Sequence, residues 1–354
     1  MNTFRSYIKL ANNRYREQFG LDFEQFETGQ KFRHRPGVTI SQEDNAQEAL
    51  DTINSAQLHY DANYASKTEW KNCLGVSTLT LQKVIGMTSK TFFRKKQIVE
   101  FCNIDMTHPV FGGDTLYAES EILGKEEYSE DPDLGLLHIV TIGRNQRGEE
   151  VTKIEYKALI YKQGKHPADE KGNIQRKGVE EEKFSSHSLL EDGYLIEEVG
   201  IYYEDLLPDE VYEHRPAKTF STEENRLHAL RSLEINPQYA DEDFIQSFSA
   251  EGKMLITDMF IAGTVTALTT RTFGRVVANL AWKNIKLYAP VYAGDTVYVE
   301  SKILTKRESK SRPTQGIMHV EAKAFNQNKK LVLSYERIFL IYKKGLGPYK
   351  EAGY

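Results

Sequence analysis

The chain repeats itself, which restricts it to folds built twice. Phe23 to Ser41 pairs with Tyr203 to Ser221 at an offset of 180, laying His34-Arg35-Pro36 on His214-Arg215-Pro216. Further on the offset is 181: Thr91-Phe92 meets Thr272-Phe273, Asn103-Ile104 meets Asn284-Ile285, and His138 meets His319. Pro109-Val110 meets Pro290-Val291, Gly113-Asp114-Thr115 meets Gly294-Asp295-Thr296, and Glu119-Ser120 meets Glu300-Ser301. Two copies of about 140 residues fall in the ordinary size range of a domain. The expected division is an extension over 1–20, domains over 21–162 and 193–344, a linker over 163–192 and a tail over 345–354.

Each copy opens with a short helix. Ser41 is a good N-cap with Asp44 three residues on, and Ala46, Leu50 and Ile53 keep helical spacing. In the second copy Ser221 and Glu224 take those places, and Leu227, Leu230 and Leu233 form the apolar stripe. A longer helix is predicted over Ser77 to Phe92, with Ile256 to Leu268 as its copy. Gly86 and Gly263 inside these helices suggest close packing against a sheet, since glycine there costs about 1 kcal/mol relative to alanine.

Extended runs follow at Gln97 to Ile104, Thr115 to Leu123, Leu137 to Asn145 and Val151 to Tyr161. Alternation of Leu116, Ala118, Ser120 and Ile122 with Tyr117, Glu119 and Glu121 suits strands with one wet face. The expected fold class is α+β, a tandem (double) hotdog in which each half is a long helix wrapped by an antiparallel sheet. The lysine-, glutamate-, glycine- and serine-rich stretch from Gln163 to Asp192 reads as the link between halves.

A net charge of -5 gives no reason to expect a nucleic-acid partner. Cys73 and Cys102 are the chain's two cysteines, too few for a disulfide framework or a structural zinc site, so a reducing, cytoplasmic setting is expected. No segment approaches the roughly 20 apolar residues needed to span a bilayer, so no membrane partner is expected. Residues 1–20, with Arg5, Lys9, Arg14 and Arg16, predict a short surface helix rather than a targeting peptide.

The stretch with most chemical promise runs from Asn54 to Ala65: Asn-Ser-Ala-Gln-Leu-His-Tyr-Asp-Ala-Asn-Tyr-Ala. It sets the amide of Asn54 five residues before the imidazole of His59, where a helix gives way to a loop. The pattern resembles the MaoC-like (R)-specific enoyl-CoA hydratases, whose motif is Asp-x-Asn-Pro-(Leu/Ile/Val)-His-x-Asp-x-x-(Tyr/Phe)-Ala. Leu58, His59, Asp61, Tyr64 and Ala65 match; Asn54 stands for the family's aspartate, and Ala56-Gln57 for its Asn-Pro. The variant Asn-x-Ala-x-(Val/Leu)-His is similar to the mesaconyl-CoA hydratase branch. The Pro-Val-x-x-Gly-Asp-Thr sequence in both copies is typical of the same family, with Asp114 and Asp295 read as turn residues.

The duplication supplies an internal control: what both copies keep is read as architecture, and what one keeps is a candidate for chemistry. His34-Arg35-Pro36 and the strand histidines His138 and His319 go to architecture. In the second copy Glu234 and Tyr239 replace Asn54 and His59. Histidine is suited to proton transfer near neutral pH, whereas a tyrosine titrating near ~10 is not. The first half is therefore expected to be active and the second degenerate.

The resemblance implies hydration of a 2-enoyl thioester, in which an acid and a histidine hold water and a helix N-terminal amide binds the thioester oxygen. Here it implies His59 as base, Asn54 as the residue orienting water or imidazole, and Gly75 as the amide donor. Asp61, Tyr64 and Arg94 are expected to contact substrate, an acyl-CoA whose phosphates could meet Arg33, Arg35, Arg94, Lys95 or Lys96. No cofactor and no metal is expected, because no redox fingerprint or metal-ligand cluster stands out. Thioester hydrolysis and non-catalytic acyl-CoA binding are the competing readings. A homo-oligomer is compatible with the sequence, although two fused copies already supply the pairing that single hotdogs obtain by dimerising.

Overall fold

Leu116, Ala118 and Ile122 are buried in the strand whose Thr115, Tyr117, Glu119 and Glu121 stay half-exposed, and this one-sided strand is a staple of the first sheet. The structure, a computed structural model, describes residues 4–167, 169, 181–249 and 252–354. In chain order the first part forms β1 (Tyr7–Ala11), β2 (Arg14–Glu17), β3 (Lys31–Thr39), α1 (Gln42–Asp51), α2 (Ala62–Ala65), α3 (Ser77–Met87), β4 (Lys95–Met106), β5 (Thr115–Glu127), β6 (Leu134–Asn145) and β7 (Glu150–Tyr161). The second part forms β8 (His187–Leu189), β9 (Tyr194–Glu197), β10 (Val211–Thr219), α4 (Thr222–Arg231), α5 (Glu242–Phe248), α6 (Asp258–Leu268), β11 (Val276–Leu287), β12 (Thr296–Glu308), β13 (Gln315–Asn326) and β14 (Leu331–Tyr342).

Two seven-stranded sheets result, ordered β4-β7-β6-β5-β3-β9-β8 and β1-β2-β10-β12-β13-β14-β11. Each wraps one long helix. Leu79, Thr80 and Val84 of α3 are buried in the core with Phe92, Leu116, Ile122, Ile139 and Tyr156; Ile261, Ala262 and Val265 of α6 do the same in the other half. Burying one such large apolar side chain contributes about 1.5–3 kcal/mol. The fold is the double hotdog that the repeat and the alternation predict.

The sheets exchange their outer strands. β2 runs parallel to β10, with Arg14, Tyr15 and Arg16 opposite Val211, Tyr212 and Glu213, so the hairpin β1–β2 extends the sheet of the second half. β9 runs parallel to β3, so the hairpin β8–β9 extends the first. The two crossings meet reciprocally: Ser6 N–H donates to Phe184 O and Ser186 N–H to Phe4 O, both at 3.0 Å. This corrects the reading of residues 1–20 as a surface helix. Tyr7 and Tyr15 are buried against Phe184 and Tyr212, and alternation between wet and dry sides is a strand property. Residues 187–192, expected in the linker, likewise belong to the second hairpin and its turn.

A buried carboxylate closes each crossing. Glu197 of β9 accepts from His34 Nδ1 (3.1 Å), Thr91 Oγ1 (2.6 Å) and Arg35 N (3.2 Å). Glu17 of β2 accepts from His214 Nδ1 (3.0 Å), Thr272 Oγ1 (2.6 Å) and Arg215 N (2.8 Å). The repeated His-Arg-Pro triplet is thus half of a latch whose other half comes from the opposite copy.

Two packing expectations are corrected. A Cβ on Gly86 or Gly263 would meet nothing within 4 Å, so neither glycine marks a close approach. The tight contact is on the sheet: a Cβ on Gly143 would lie 2.7 Å from Val84 Cγ2. The buried faces of the short helices are Asn45 with Ala49 and Asn225 with Ala229, while Leu50 and Ile53 are 62% and 91% exposed. Leu227, Leu230 and Leu233 also face outward.

Candidate active site

After α1 the backbone turns at Ile53, whose φ is 57°. Asn54 N–H then donates to Ala49 O at 2.7 Å, and a single tight turn over Gln57–His59 follows. The His59 ring is fixed by one bond: Nδ1 lies 2.8 Å from Leu74 O. A carbonyl oxygen can only accept, so Nδ1 carries the proton. The neutral ring therefore presents Nε2 as its basic atom. His59 is half-buried, accessible to water yet held.

Asn45 is the hub beneath it. Its side chain is 0% exposed; Nδ2 donates to His59 O at 2.9 Å and Leu74 O at 3.0 Å, and Oδ1 accepts from Val76 N at 2.6 Å. Gln42 Nε2 adds a second bond to His59 O at 2.8 Å. The histidine turn is thereby clamped to the start of α3. Asn225 repeats half of the clamp in the second copy, reaching Leu255 O at 2.9 Å and accepting from Thr257 N at 3.0 Å, with no bond to the Tyr239 turn among the described residues. Asn45 was missed because an asparagine between apolar positions reads as surface; its persistence across the repeat was the available signal.

Several expected roles change. Gly75 N–H donates to Val110 O at 2.7 Å and cannot also bind a thioester oxygen. Val76 N–H is taken by Asn45, so the open amides at the start of α3, among the described residues, begin at Ser77 and Thr78. Asn54 makes no hydrogen bond to His59; its Oδ1 accepts from Ala56 N at 3.0 Å, and Glu234 Oε1 does the same for Asn236 N at 2.9 Å. Asp61 caps α2 through Tyr64 N at 2.9 Å, as Asp241 caps α5 through Phe244 N at 3.1 Å. Kept in both copies, that aspartate serves as a helix cap. Tyr64 stands beside the turn, 48% exposed.

Arg94 is engaged inside the protein. It is 3% exposed and bridges Asp22 at 3.1 Å and Asp169 at 2.9 Å. Desolvating those ion pairs is already costly, and a phosphate would have to break them. Arg33 pairs with Glu119 and Asp192, and Lys96 with Asp131. Arg35 donates to Gly353 O and lies over Tyr117 and Tyr354. Neither the Arg35 guanidinium nor the Lys95 ammonium pairs with an acidic side chain among the described residues.

In the second half Tyr239 is buried, and its phenol is pushed up first by that burial and then by the charges of Asp258 and Glu234. It stays protonated near neutrality and is no base. A cavity of about 300 Å³ opens at the start of α6, lined by Ile256, Asp258, Ile261 and Tyr288 among others. A larger one, about 860 Å³, lies along the hairpin β8–β9 and includes none of the expected site residues. Its Lys183 and Glu198 are already paired with Glu210 and Arg275.

Two family models match the chain: one described as mesaconyl-CoA hydratase over residues 180–347, and one described as MaoC like domain over residues 23–138. A beta-methylmalyl-CoA dehydratase of Chloroflexus aurantiacus is 25% identical over 125 residues, 35% of this chain and 36% of that protein. A mesaconyl-CoA hydratase of Haloarcula marismortui is 22% identical over 350 residues, 96% of this chain and 94% of that one. Among solved structures, a putative MaoC domain protein dehydratase from Chloroflexus aurantiacus shares 18% identity over 92% of this chain and 98% of its own, with a TM-score of 0.39.

Proposed function

We propose, from the premise that this chain belongs to the MaoC-like hydratase and dehydratase family and is a hydro-lyase of CoA thioesters, that its first half reversibly hydrates a short or branched 2-enoyl-CoA of the mesaconyl-CoA kind. The observation that carries this reading is the 2.8 Å bond from His59 Nδ1–H to Leu74 O. It leaves Nε2 as a base and ties the ring to the segment that leads into α3.

Water bound at Nε2 attacks C3 of the enoyl thioester while the imidazole takes its proton. The electrons of the C2–C3 double bond move toward the thioester oxygen, where the open N–H groups of Ser77 and Thr78 and the positive end of α3 stabilise the charge. The imidazolium then gives a proton to C2, the enolate collapses, and His59 is neutral again; one water has been added. Asn54 cannot accept a proton, so His59 carries both transfers and Asn54 orients the water through its amide. Tyr64 offers an aromatic face to the substrate. The substrate class is supported by relatives named for mesaconyl-CoA and beta-methylmalyl-CoA.

Purified protein is offered crotonyl-CoA and mesaconyl-CoA in parallel, with enoyl absorbance followed and products weighed. Gain of one water on either supports hydration and narrows the acyl group. Free thiol release, with no hydrated product, would replace the reading with thioester hydrolysis.

The second half carries a different reading, favoured by the buried Tyr239. There a protonated phenol can donate a hydrogen bond but cannot deprotonate water, which fits a binding role. Tyr239→Phe is then expected to raise KM and spare kcat.

A further inference from the structure

Cys102, His138 and Glu155 bring a sulfur, a ring nitrogen and a carboxylate oxygen within 4.8 Å of one another, and hydration uses none of them. We infer that this trio is a binding site for a divalent transition metal of the zinc class, built into the first half alone. It rests on three adjacent strands, β4, β7 and β6. Phe101 pairs with Tyr156 and Asn103 with Glu155, so Cys102 is the extra residue of a bulge. Bulges re-aim a side chain, here toward the neighbouring Glu155. His138 lies one diagonal step away, opposite Lys157 on the same strand as Glu155.

The donor set and spacing suit the ion. Zinc takes sulfur at about 2.3 Å and nitrogen or oxygen at about 2.0–2.2 Å in a tetrahedron, which puts ligand atoms roughly 3.3–3.6 Å apart. His138 Nε2 and Glu155 Oε1 are already 2.7 Å apart, so small side-chain rotations open room for a metal between them. Three protein ligands leave one position for water. On binding, Cys102 gives its thiol proton to solvent, and thiolate, carboxylate and dication sum to zero charge.

The repeat supplies the comparison. In the second half His319 Nε2 and Glu336 Oε2 are 2.6 Å apart, reproducing the pair, but Lys283 stands where the first half has Cys102. Asn284 Nδ2 takes Glu336 Oε1 at 2.8 Å, and Lys283 adds a favourable charge. That carboxylate has both oxygens bonded and a built-in cation. In the first half Asn103 turns to Asp105 instead, at 2.9 Å, and Glu155 Oε2 accepts no hydrogen bond among the described residues. Nearby Lys157 is paired with Glu100 at 2.8 Å. The first half thus has a thiol and an uncommitted carboxylate oxygen where the second has an ammonium.

The test is a cobalt(II) titration of the full chain. One equivalent is expected to give a near-ultraviolet thiolate-to-cobalt charge-transfer band, which zinc(II) abolishes by displacement. Cys102→Ser, at an exposed position, is expected to lose the band; the other cysteine, Cys73, is buried. Lys283→Cys is expected to create a second site and raise the stoichiometry to two. Absence of the band in the unaltered chain, or its persistence in Cys102→Ser, overturns the site. A Lys283→Cys chain that stays at one equivalent overturns the account of what distinguishes the halves.

Discussion

Asn45 Nδ2 and His59 Nδ1 both donate to the carbonyl oxygen of Leu74, at 3.0 Å and 2.8 Å. A buried amide and a half-exposed imidazole therefore share one acceptor: the Leu74 carbonyl sets the histidine's tautomer, and Asn45, fourteen positions before the histidine, helps hold that carbonyl in place. Loss of a buried polar partner costs about 1–3 kcal/mol for each group left unpaired.

Asn45→Ala is expected to lower stability by roughly 2–3 kcal/mol and also to reduce turnover, because the His59 turn loses its clamp. Asn225→Ala removes the matching hub from the second half. It is expected to cost similar stability with little change in kcat. Urea midpoints and hydration kinetics on the two variants separate the clamp's structural and positioning roles.

Asn54→Asp is expected to keep hydration activity within about tenfold, since a carboxylate can also orient water. Abolished activity, measured as kcat on the hydrated enoyl-CoA, would give the amide's N–H donors a role that a carboxylate cannot fill.

Gly143→Ala is expected to destabilise by about 1–3 kcal/mol, because its Cβ would press Val84 Cγ2 at 2.7 Å and push α3 off the sheet. Gly86→Ala has open space and sits within α3, so a gain of about 0.5–1 kcal/mol is expected. Paired denaturation curves check both signs.

Acid is expected to loosen the crossing between halves. Burial holds His187 down to about 3, so below the unfolded histidine's pKa of about 6.5 the unfolded chain binds the proton and stability falls. Burial pulls Glu197 up, but the hydrogen bond and charge of His34, with Lys90 and His187, prevail and hold it near about 2. Its contribution is present above the unfolded carboxyl pKa of about 4.3 and is lost as pH falls through about 2. His187→Gln should flatten the decline between pH ~6.5 and ~3, and Glu197→Gln that between ~4.3 and ~2. Urea midpoints against pH read both.

Much of this fold was legible because the repeat and the period-two alternation are local patterns. The capping boxes at Ser41 and Ser221 and the Asp114 and Asp295 turns form as their residues predict. Long-range features were not legible. Nothing local to Tyr7 or Glu17 says that its partners are Tyr212 and His214, and strand exchange is a pairing nearly two hundred residues long in sequence. The stripe of Leu50 and Ile53 misled because spacing gives a face without saying which way it points. At the candidate site, His59 is tied to Leu74 just ahead of α3 while Asn54 bonds within its own turn, and the free amide could not be read from sequence. Which of Gly75, Val76 and Ser77 keeps its N–H open depends on Val110 and Asn45, which lie far along the chain. Among the described residues no helix is long and apolar enough to cross a membrane.

The central claim is that His59 Nε2 takes the proton from water. The most direct measurement is the kcat of enoyl-CoA hydration for the unaltered chain and for His59→Ala, side by side, with substrate binding measured separately. The account predicts a loss of about 10²–10⁴ in kcat with binding nearly intact. Unchanged turnover in His59→Ala would contradict it and leave the segment as scaffold.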